Sequence, residues 1–248
     1  LTENSRLNKN RASTNGGALY LNDNSSIVVK GKYNRSEITE NHASYGGAIY
    51  FNSANTQSIL ASSSISGNGA DVGASSSGGA IYVASGELTL SGTNITGNSA
   101  KLTGGGIYVT NGATLQVTAG SVSGNNASVD PNSETGNMFL GENIYVDYLN
   151  NASYGILKIS NSANIQSVYL VDGAHIAVTN KLAGDYETLL PKIVVSLSNY
   201  TENKVIVRFD GGVDATDVYF TLNEENFEKY YLEVNGSTLV LTKIATTV

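Results

Sequence analysis

A short phrase that ends in tyrosine recurs along this chain of 248 residues. It opens with a glycine pair, continues with a small and an aliphatic residue, and is degraded in its last copy. The copies are Gly16-Gly17-Ala18-Leu19-Tyr20, Gly46-Gly47-Ala48-Ile49-Tyr50, Gly78-Gly79-Ala80-Ile81-Tyr82, Gly104-Gly105-Gly106-Ile107-Tyr108 and Gly141-Glu142-Asn143-Ile144-Tyr145. Repeats with a period of about 20 to 50 residues are typical of solenoids, because each unit buries its apolar surface on its neighbours. The sequence therefore predicts a solenoid.

A second phrase, which carries an asparagine, alternates with the first. Its copies are Ile38-Thr39-Glu40-Asn41-His42-Ala43, Ile65-Ser66-Gly67-Asn68-Gly69-Ala70, Ile95-Thr96-Gly97-Asn98-Ser99-Ala100 and Val122-Ser123-Gly124-Asn125-Asn126-Ala127, and Leu1-Thr2-Glu3-Asn4 is interpreted as the tail of an earlier coil. The spacing from the glycine pair to the next asparagine is nearly constant, whereas the spacing onward to the next glycine pair varies. Insertions are thus expected at one corner, where solenoids place contact loops. The candidate loops are Ser5–Asn15, Asp71–Ser77 and Ser128–Asn137.

Between the two phrases, short apolar runs alternate with turn residues. In the third coil the runs cover residues 80–84, 87–90 and 93–96. Their alternation has the period of a strand and not of a helix. The predicted fold is therefore all-β, a right-handed parallel β-helix over residues 1–184 with three strands per coil. About five to six coils would form a rod on the order of 25–30 Å long.

The pattern changes near residue 185, where the glycine-pair phrases stop. Strand-like runs follow at 192–197, 204–209, 217–222 and 230–241, and Asn235-Gly236 divides the last run as in a β-hairpin. Solenoid ends carry unpaired strand edges that need covering. Residues 185–248 are therefore predicted to be a β-rich cap, with an independent binding module as the alternative.

The two phrases together resemble the repeats of chlamydial polymorphic membrane proteins and the related adhesin-like repeats of bacterial and methanogen surface proteins. In the chlamydial family a phenylalanine stands three residues before the asparagine. This chain has Ile38, Ile65, Ile95 and Val122 at those positions, which favours the broader adhesin-like group. The resemblance covers about residues 1–170. It implies a surface-displayed, extracellular protein that attaches to a protein or glycan of a host or neighbouring cell.

Composition agrees with such a setting and narrows the partners. The chain has no cysteine and 27 glycines, as a β-rich extracellular solenoid without disulfides would. No apolar stretch approaches the roughly 20 residues of a membrane-spanning helix. The net charge of −7 repels phosphate backbones, so nucleic acid is not an expected partner. Because residue 1 falls within a repeat, the chain is interpreted as part of a longer polypeptide.

Two columns of side chains are the candidate functional and structural features. If the aliphatic neighbours of each tyrosine point inward, the tyrosines point outward along one face. There they could form a ligand-contact surface, or they could stabilise the sheet by stacking on each other. These residues are Tyr20, Tyr50, Tyr82, Tyr108 and Tyr145. Inward asparagines that satisfy turn backbone groups are expected to form a structural ladder. Its members are Asn41, Asn68, Asn98 and Asn125.

The sequence contains no recognisable catalytic or metal-binding motif, so we predict neither an enzyme nor a bound cofactor. The carboxylates Asp71, Glu87, Asp130, Glu134, Glu142 and Asp147 are scattered, and Glu142 and Asp147 come nearest to a pair. His42 and His175 are far apart, and Asp210, Asp214 and Asp217 match no calcium-loop spacing. Two alternatives to an adhesin stay open. One is a passive stalk, and the other is a fragment of a β-helical polysaccharide lyase or hydrolase, which would need converging carboxylates.

Overall fold

The structure is a computed structural model, and it describes residues 1–2, 4–29, 35–110, 112–128, 141–147, 155–182, 192–215, 219–223 and 228–245. The strands up to the large insertion are β1 (Arg6–Asn8), β2 (Leu19–Asn22), β3 (Val28–Val29), β4 (Ser36–Thr39), β5 (His42–Ala43), β6 (Ile49–Ala61), β7 (Ser63–Ser66), β8 (Gly69–Ala70), β9 (Ile81–Thr96), β10 (Ser99–Ala100), β11 (Ile107–Val109), β12 (Thr114–Val122) and β13 (Asn126–Ala127). The later strands are β14 (Ile144–Val146), β15 (Ile156–Ile165), β16 (Ser167–Leu170), β17 (His175–Leu182), β18 (Ile193–Leu197), β19 (Val205–Phe209), β20 (Phe220–Leu222), β21 (Tyr230–Asn235) and β22 (Thr238–Lys243). Within the described ranges the chain contains no helix, and therefore none that could cross a membrane.

The strands stack in parallel, coil upon coil, into a β-solenoid of about six turns. This confirms the predicted parallel β-helix. The first side carries the tyrosine phrases, through β2, the start of β6 and β9, β11, β14, β16, β18 and β20. The second side continues through β3, the later parts of β6 and β9, β12, β15, β17 and β19. The third side is built from β1, β4, β7 and the ends of β9, β12 and β15.

A fourth, short side was not predicted. The two-residue strands β5, β8, β10 and β13 pair in parallel into a separate sheet directly after each ladder asparagine. Two residues carry too little alternation to stand out in a sequence. Insertions also do not all leave at one corner, because residues 147–155 separate β14 on the first side from β15 on the second.

The core is a single apolar column enclosed by the sides. Ile81 and Val83 from the first side, Leu88 from the second and Ile95 from the third are completely buried in the same coil. The alternation of these residues with half-buried neighbours explains why the segments become strands, since every second side chain points inward. Each coil thus covers the apolar surface of the coil before it.

The first coil lies in a different register from the one predicted. β1 pairs with β4 so that Leu7 lies opposite Ile38 and Asn8 opposite Thr39. The segment Leu7-Asn8-Lys9-Asn10, and not Leu1-Thr2-Glu3-Asn4, therefore occupies the asparagine-phrase position. Residues 6–8 of the predicted loop Ser5–Asn15 are accordingly a strand.

Parallel stacking continues into the C-terminal part. The boundary predicted between residues 184 and 185 lies outside the described residues, and beyond it β18 and β20 still extend the first side in parallel. The predicted hairpin is confirmed, with β21 and β22 antiparallel around Asn235-Gly236. β22 also pairs antiparallel with β19, and this pairing covers the last edge of the second side.

Candidate functional site

Six tyrosine rings form a continuous stack on the outside of the first side, which we call the tyrosine column. It comprises the predicted tyrosines and, beyond them, Tyr169. From the N-terminal coil onward the centroid distances are 5.4 Å for Tyr20–Tyr50, 5.1 Å for Tyr50–Tyr82, 4.7 Å for Tyr82–Tyr108, 5.2 Å for Tyr108–Tyr145 and 5.1 Å for Tyr145–Tyr169. After the first pair, all interplanar angles are between 7° and 16°.

The strand register produces this stack. Tyr50 lies opposite Tyr82 in the β6–β9 pairing, and Tyr82 lies opposite Tyr108 in the β9–β11 pairing. In-register strands are about 4.8 Å apart, which brings identical aromatic rings into contact. The column ends at Tyr169 because Ser196 occupies the next position.

The tyrosines are less accessible than the sequence predicted. Tyr20 at the N-terminal end is 53% exposed, whereas Tyr169 at the other end is only 6% exposed. The tyrosines between them are half-buried, because each ring covers the faces of its neighbours. The column therefore offers ring edges and hydroxyls to solvent, and not an open row of ring faces.

Burial also makes three phenols of the column harder to ionise. It is the main cause that raises the pKa of Tyr82, Tyr108 and Tyr145 well above the usual range of tyrosine. The Tyr108 hydroxyl donates a hydrogen bond to Asp147 Oδ2, which raises the pKa of Tyr108 further. These three phenols thus stay protonated into the alkaline range in which an ordinary tyrosine ionises.

Neutral polar side chains flank the column at its N-terminal half. Asn52 Nδ2 donates to Asn22 Oδ1 at 2.7 Å, and Ser85 Oγ donates to Asn52 Oδ1 at 2.8 Å. The ring of Tyr45 packs edge-on against Tyr82 at 5.4 Å. We call the column together with these four residues the tyrosine strip. It combines rigid aromatic rings with amide and hydroxyl groups.

The four predicted asparagines form a hydrogen-bonded ladder at the turn between the third and fourth sides. Each one donates from its backbone N and its Nδ2 to the Oδ1 of the next. Between Asn68 and Asn98 these bonds are 3.0 and 2.8 Å long, and between Asn98 and Asn125 they are 3.1 and 2.9 Å long. The Nδ2 groups also donate to carbonyls of the preceding coil, such as Ile65 O. Buried turn groups are thereby satisfied.

The ladder has two further members that were not predicted from the sequence. Asn10 donates to Asn41 Oδ1 at the N-terminal end, and Asn143 Oδ1 accepts from Asn125 at the other. Asn10 becomes recognisable once the phrase is aligned on Leu7. Asn143 stands in the third position of the degraded tyrosine phrase, where earlier copies have a small residue such as Ala80 or Gly106. A polar residue at that position is the feature of the sequence that could have identified it.

Three carboxylates from the sequence search have partners at separate places in the structure. Asp71 contacts His42 Nδ1 at 2.9 Å, Glu87 contacts Lys158 Nζ at 3.3 Å, and Asp147 accepts from Tyr108. Asp130, Glu134 and Asp217 lie outside the described residues. In the part of the chain that is described, no group of three potential metal ligands occurs.

Of the candidate loops, Ser5–Asn15 and Asp71–Ser77 are described in full, and Asp71–Ser77 is the one without a strand. The loop Asp71–Ser77 leads from β8 to β9, and its turn is closed by Ser76 Oγ, which donates to Gly73 O at 2.8 Å. The loop Ser128–Asn137 lies outside the described residues from residue 129 onward. No family model matches this sequence, and no curated protein or solved structure matches it either.

Proposed function

We propose that this chain is an extracellular segment of a surface-displayed, adhesin-like protein that attaches to a protein or glycan of a host or neighbouring cell. The observation that supports the proposal is the tyrosine strip, a row of stacked aromatic rings and neutral polar side chains along the solenoid. We propose no catalytic role and no cofactor for it.

The strip is rich in Tyr, Asn and Ser, which are common in protein surfaces that bind partners without charged contacts. Tyrosine supplies contact area at a low cost in side-chain entropy, and Asn and Ser add adaptable hydrogen bonds. Stacking has already restricted the rings of Tyr50, Tyr82 and Tyr108 before any partner arrives. Less conformational freedom is therefore lost on binding.

The stacking of the rings limits how a partner can contact the strip. Because the ring faces are mutually covered, a partner meets ring edges and hydroxyls, except at Tyr20, whose exposed ring ends the column. Such a surface favours hydrogen bonding to sugar hydroxyls or peptide groups over the stacking of a sugar on a ring.

An array of glycans and cell-surface proteins would test this function. The variant Tyr50→Phe/Tyr82→Phe keeps the stacked rings but removes two hydroxyls, and Tyr231→Phe, on the 46% exposed hairpin tyrosine, is the matched control. We expect specific binding that the double variant weakens and the control retains. Binding that both variants retain would contradict the proposed surface.

A passive stalk is the second candidate, because the ladder and the column brace several consecutive coils without needing a ligand. The same array separates the two functions. If the unmodified chain binds nothing on the array, the stalk is favoured over the adhesin.

A further inference from the structure

The tyrosine column brings oxidisable phenols into contact in a chain without cysteine. Tyr82 and Tyr108 are its closest pair, with a centroid distance of 4.7 Å and an interplanar angle of 16°. They belong to consecutive coils and lie directly opposite each other in the β9–β11 register. The two rings are thus held in a nearly parallel stack.

A proton acceptor is placed at the same pair. Asp147 lies directly after β14 and accepts the hydrogen bond of the Tyr108 hydroxyl. A phenol that loses an electron becomes a strong acid and must lose its proton at once. A carboxylate within hydrogen-bond reach serves as the base for that transfer.

We propose that Tyr82 and Tyr108 are a site of oxidative modification, at which a one-electron oxidant of the peroxidase or photochemical class joins them into a dityrosine between consecutive coils. The inference is independent of adhesion. It requires only the stacked geometry and the base.

The chemistry balances for two phenols and a two-electron acceptor. Each tyrosine loses one electron to the oxidant and one proton, which passes to Asp147 from Tyr108 and to water from Tyr82. The two phenoxyl radicals form a carbon–carbon bond between their ortho positions, and the ring hydrogens move to the oxygens to restore both phenols. With hydrogen peroxide as the terminal acceptor, two tyrosines and one peroxide yield one dityrosine and two waters.

The stack also explains how an oxidant would reach a half-buried pair. Tyr20 exposes half of its surface at the N-terminal end, and the contacts from Tyr20 through Tyr50 to Tyr82 are continuous. An oxidised Tyr20 that has lost its proton can take an electron from Tyr50 and a proton from water, and repetition of this exchange carries the oxidation to Tyr82 and Tyr108. It is trapped at Tyr108, where Asp147 removes the proton.

The test uses the whole chain in dilute solution, with photogenerated tris-bipyridyl ruthenium(III) as the oxidant and persulfate as the terminal electron acceptor. Trypsin separates the two tyrosines, because it cleaves after Arg35, Lys101 and Lys158. We expect peptides 36–101 and 102–158 to be joined, with the loss of two hydrogens, and fragment ions to locate the bond at Tyr82 and Tyr108. The yield of this monomeric product should not change on further dilution.

Three variants make the test specific. Tyr82→Phe should abolish the bond while it keeps a stacked ring, and Asp147→Asn should slow bond formation because the amide cannot take the proton. Tyr231→Phe, on an exposed tyrosine outside the column, should leave the bond unchanged. Circular dichroism verifies that each variant is folded. The proposal is overturned if the two peptides stay separate, or if they are joined only between molecules in a yield that falls with dilution.

Discussion

Each interior ladder asparagine uses its whole side-chain amide inside the solenoid. Asn98 is 1% exposed, accepts two bonds from Asn68 and donates to Ile65 O, Thr96 O and Asn125 Oδ1. No shorter or differently shaped side chain can serve all these groups at once. The ladder therefore fixes the register of consecutive coils.

Replacing Asn98 by alanine should be strongly destabilising. The change leaves the backbone N and Nδ2 of Asn68 and the carbonyl of Ile65 without these partners, so we expect a loss of about 3–5 kcal/mol in the free energy of unfolding. Asn10→Ala is the control, because Asn10 is exposed and water can replace its bond, which limits the loss to about 1 kcal/mol. Urea denaturation measures both. Equal losses at the two sites would contradict the role of burial.

Because of the tyrosine column, the free energy of unfolding should decrease at alkaline pH. Burial raises the pKa of Tyr82, Tyr108 and Tyr145 in the folded state, so the unfolded state loses these protons first. The contribution of these tyrosines to the free energy of unfolding is complete below the pKa of tyrosine in the unfolded chain, about 10. It is lost as the pH rises towards and through their pKa values in the folded state. We expect the urea midpoint to fall above about pH 10, and to fall less steeply in Tyr108→Phe. A parallel decline in both proteins would contradict the assignment.

The glycine-pair corner is the local element that lets consecutive coils approach closely. At its first position Gly78 has φ of +69°, in the left-handed region. At its second position a Cβ on Gly79 would collide with backbone atoms of Ser99 and Gly105 from the following coil's turn. The first glycine is thus needed for its conformation and the second for its lack of a side chain.

Gly79→Ala should therefore separate two coils at this corner. We expect a cost of about 3 kcal/mol, typical of overpacking against atoms that cannot move aside. The control is Gly97→Ala, where φ is +65° but no atom lies within 4 Å of the added Cβ, so only the conformational cost of about 1 kcal/mol applies. Thermal unfolding compares the two. A control that costs as much as Gly79→Ala would refute the steric explanation.

The same elements show what a sequence can and cannot predict here. Strand period and the Asn-Gly turn predict the stacked sides and the hairpin, because these depend on neighbours along the chain. The fourth side, the place of Leu7 and the role of Asn143 depend on pairing between coils, which local pattern does not contain. Likewise, strand alternation predicted that the side chain of Tyr108 points outward. It did not predict that the rings cover each other's faces or that Tyr108 is hydrogen-bonded to Asp147.

The hairpin covers the C-terminal end of the stack. Its strand β22 pairs with β19, and the β22 side chains of Leu239 and Leu241 are completely buried. The first side has eight strands, and the spacings of about 4.8 Å between neighbouring strands add up to a stack about 34 Å long. In such a stack the stability of a terminal coil depends on what covers its single outer side.

Weakening the contact between the hairpin and β19 should therefore affect association as well as stability. Leu239→Ala leaves a cavity and should cost about 2–5 kcal/mol. Because it loosens β22 from β19, we also expect dimers or larger species that increase with concentration in size-exclusion chromatography. Val234→Ala, on the same hairpin but 48% exposed, is the control and should do neither. A destabilised Leu239→Ala variant that stays monomeric at high concentration would argue against an edge-covering role.

Strand pairing only between adjacent coils has a consequence for how such a gene can change. A duplication of one interior repeat would insert a coil whose two surfaces match those already present, because its Asn, Gly and Tyr positions meet the same partners above and below. Neither the cap nor the first coil would need a compensating mutation. Length can therefore evolve in whole coils by unequal recombination, while an insertion of part of a coil persists only where it leaves the stack as a loop.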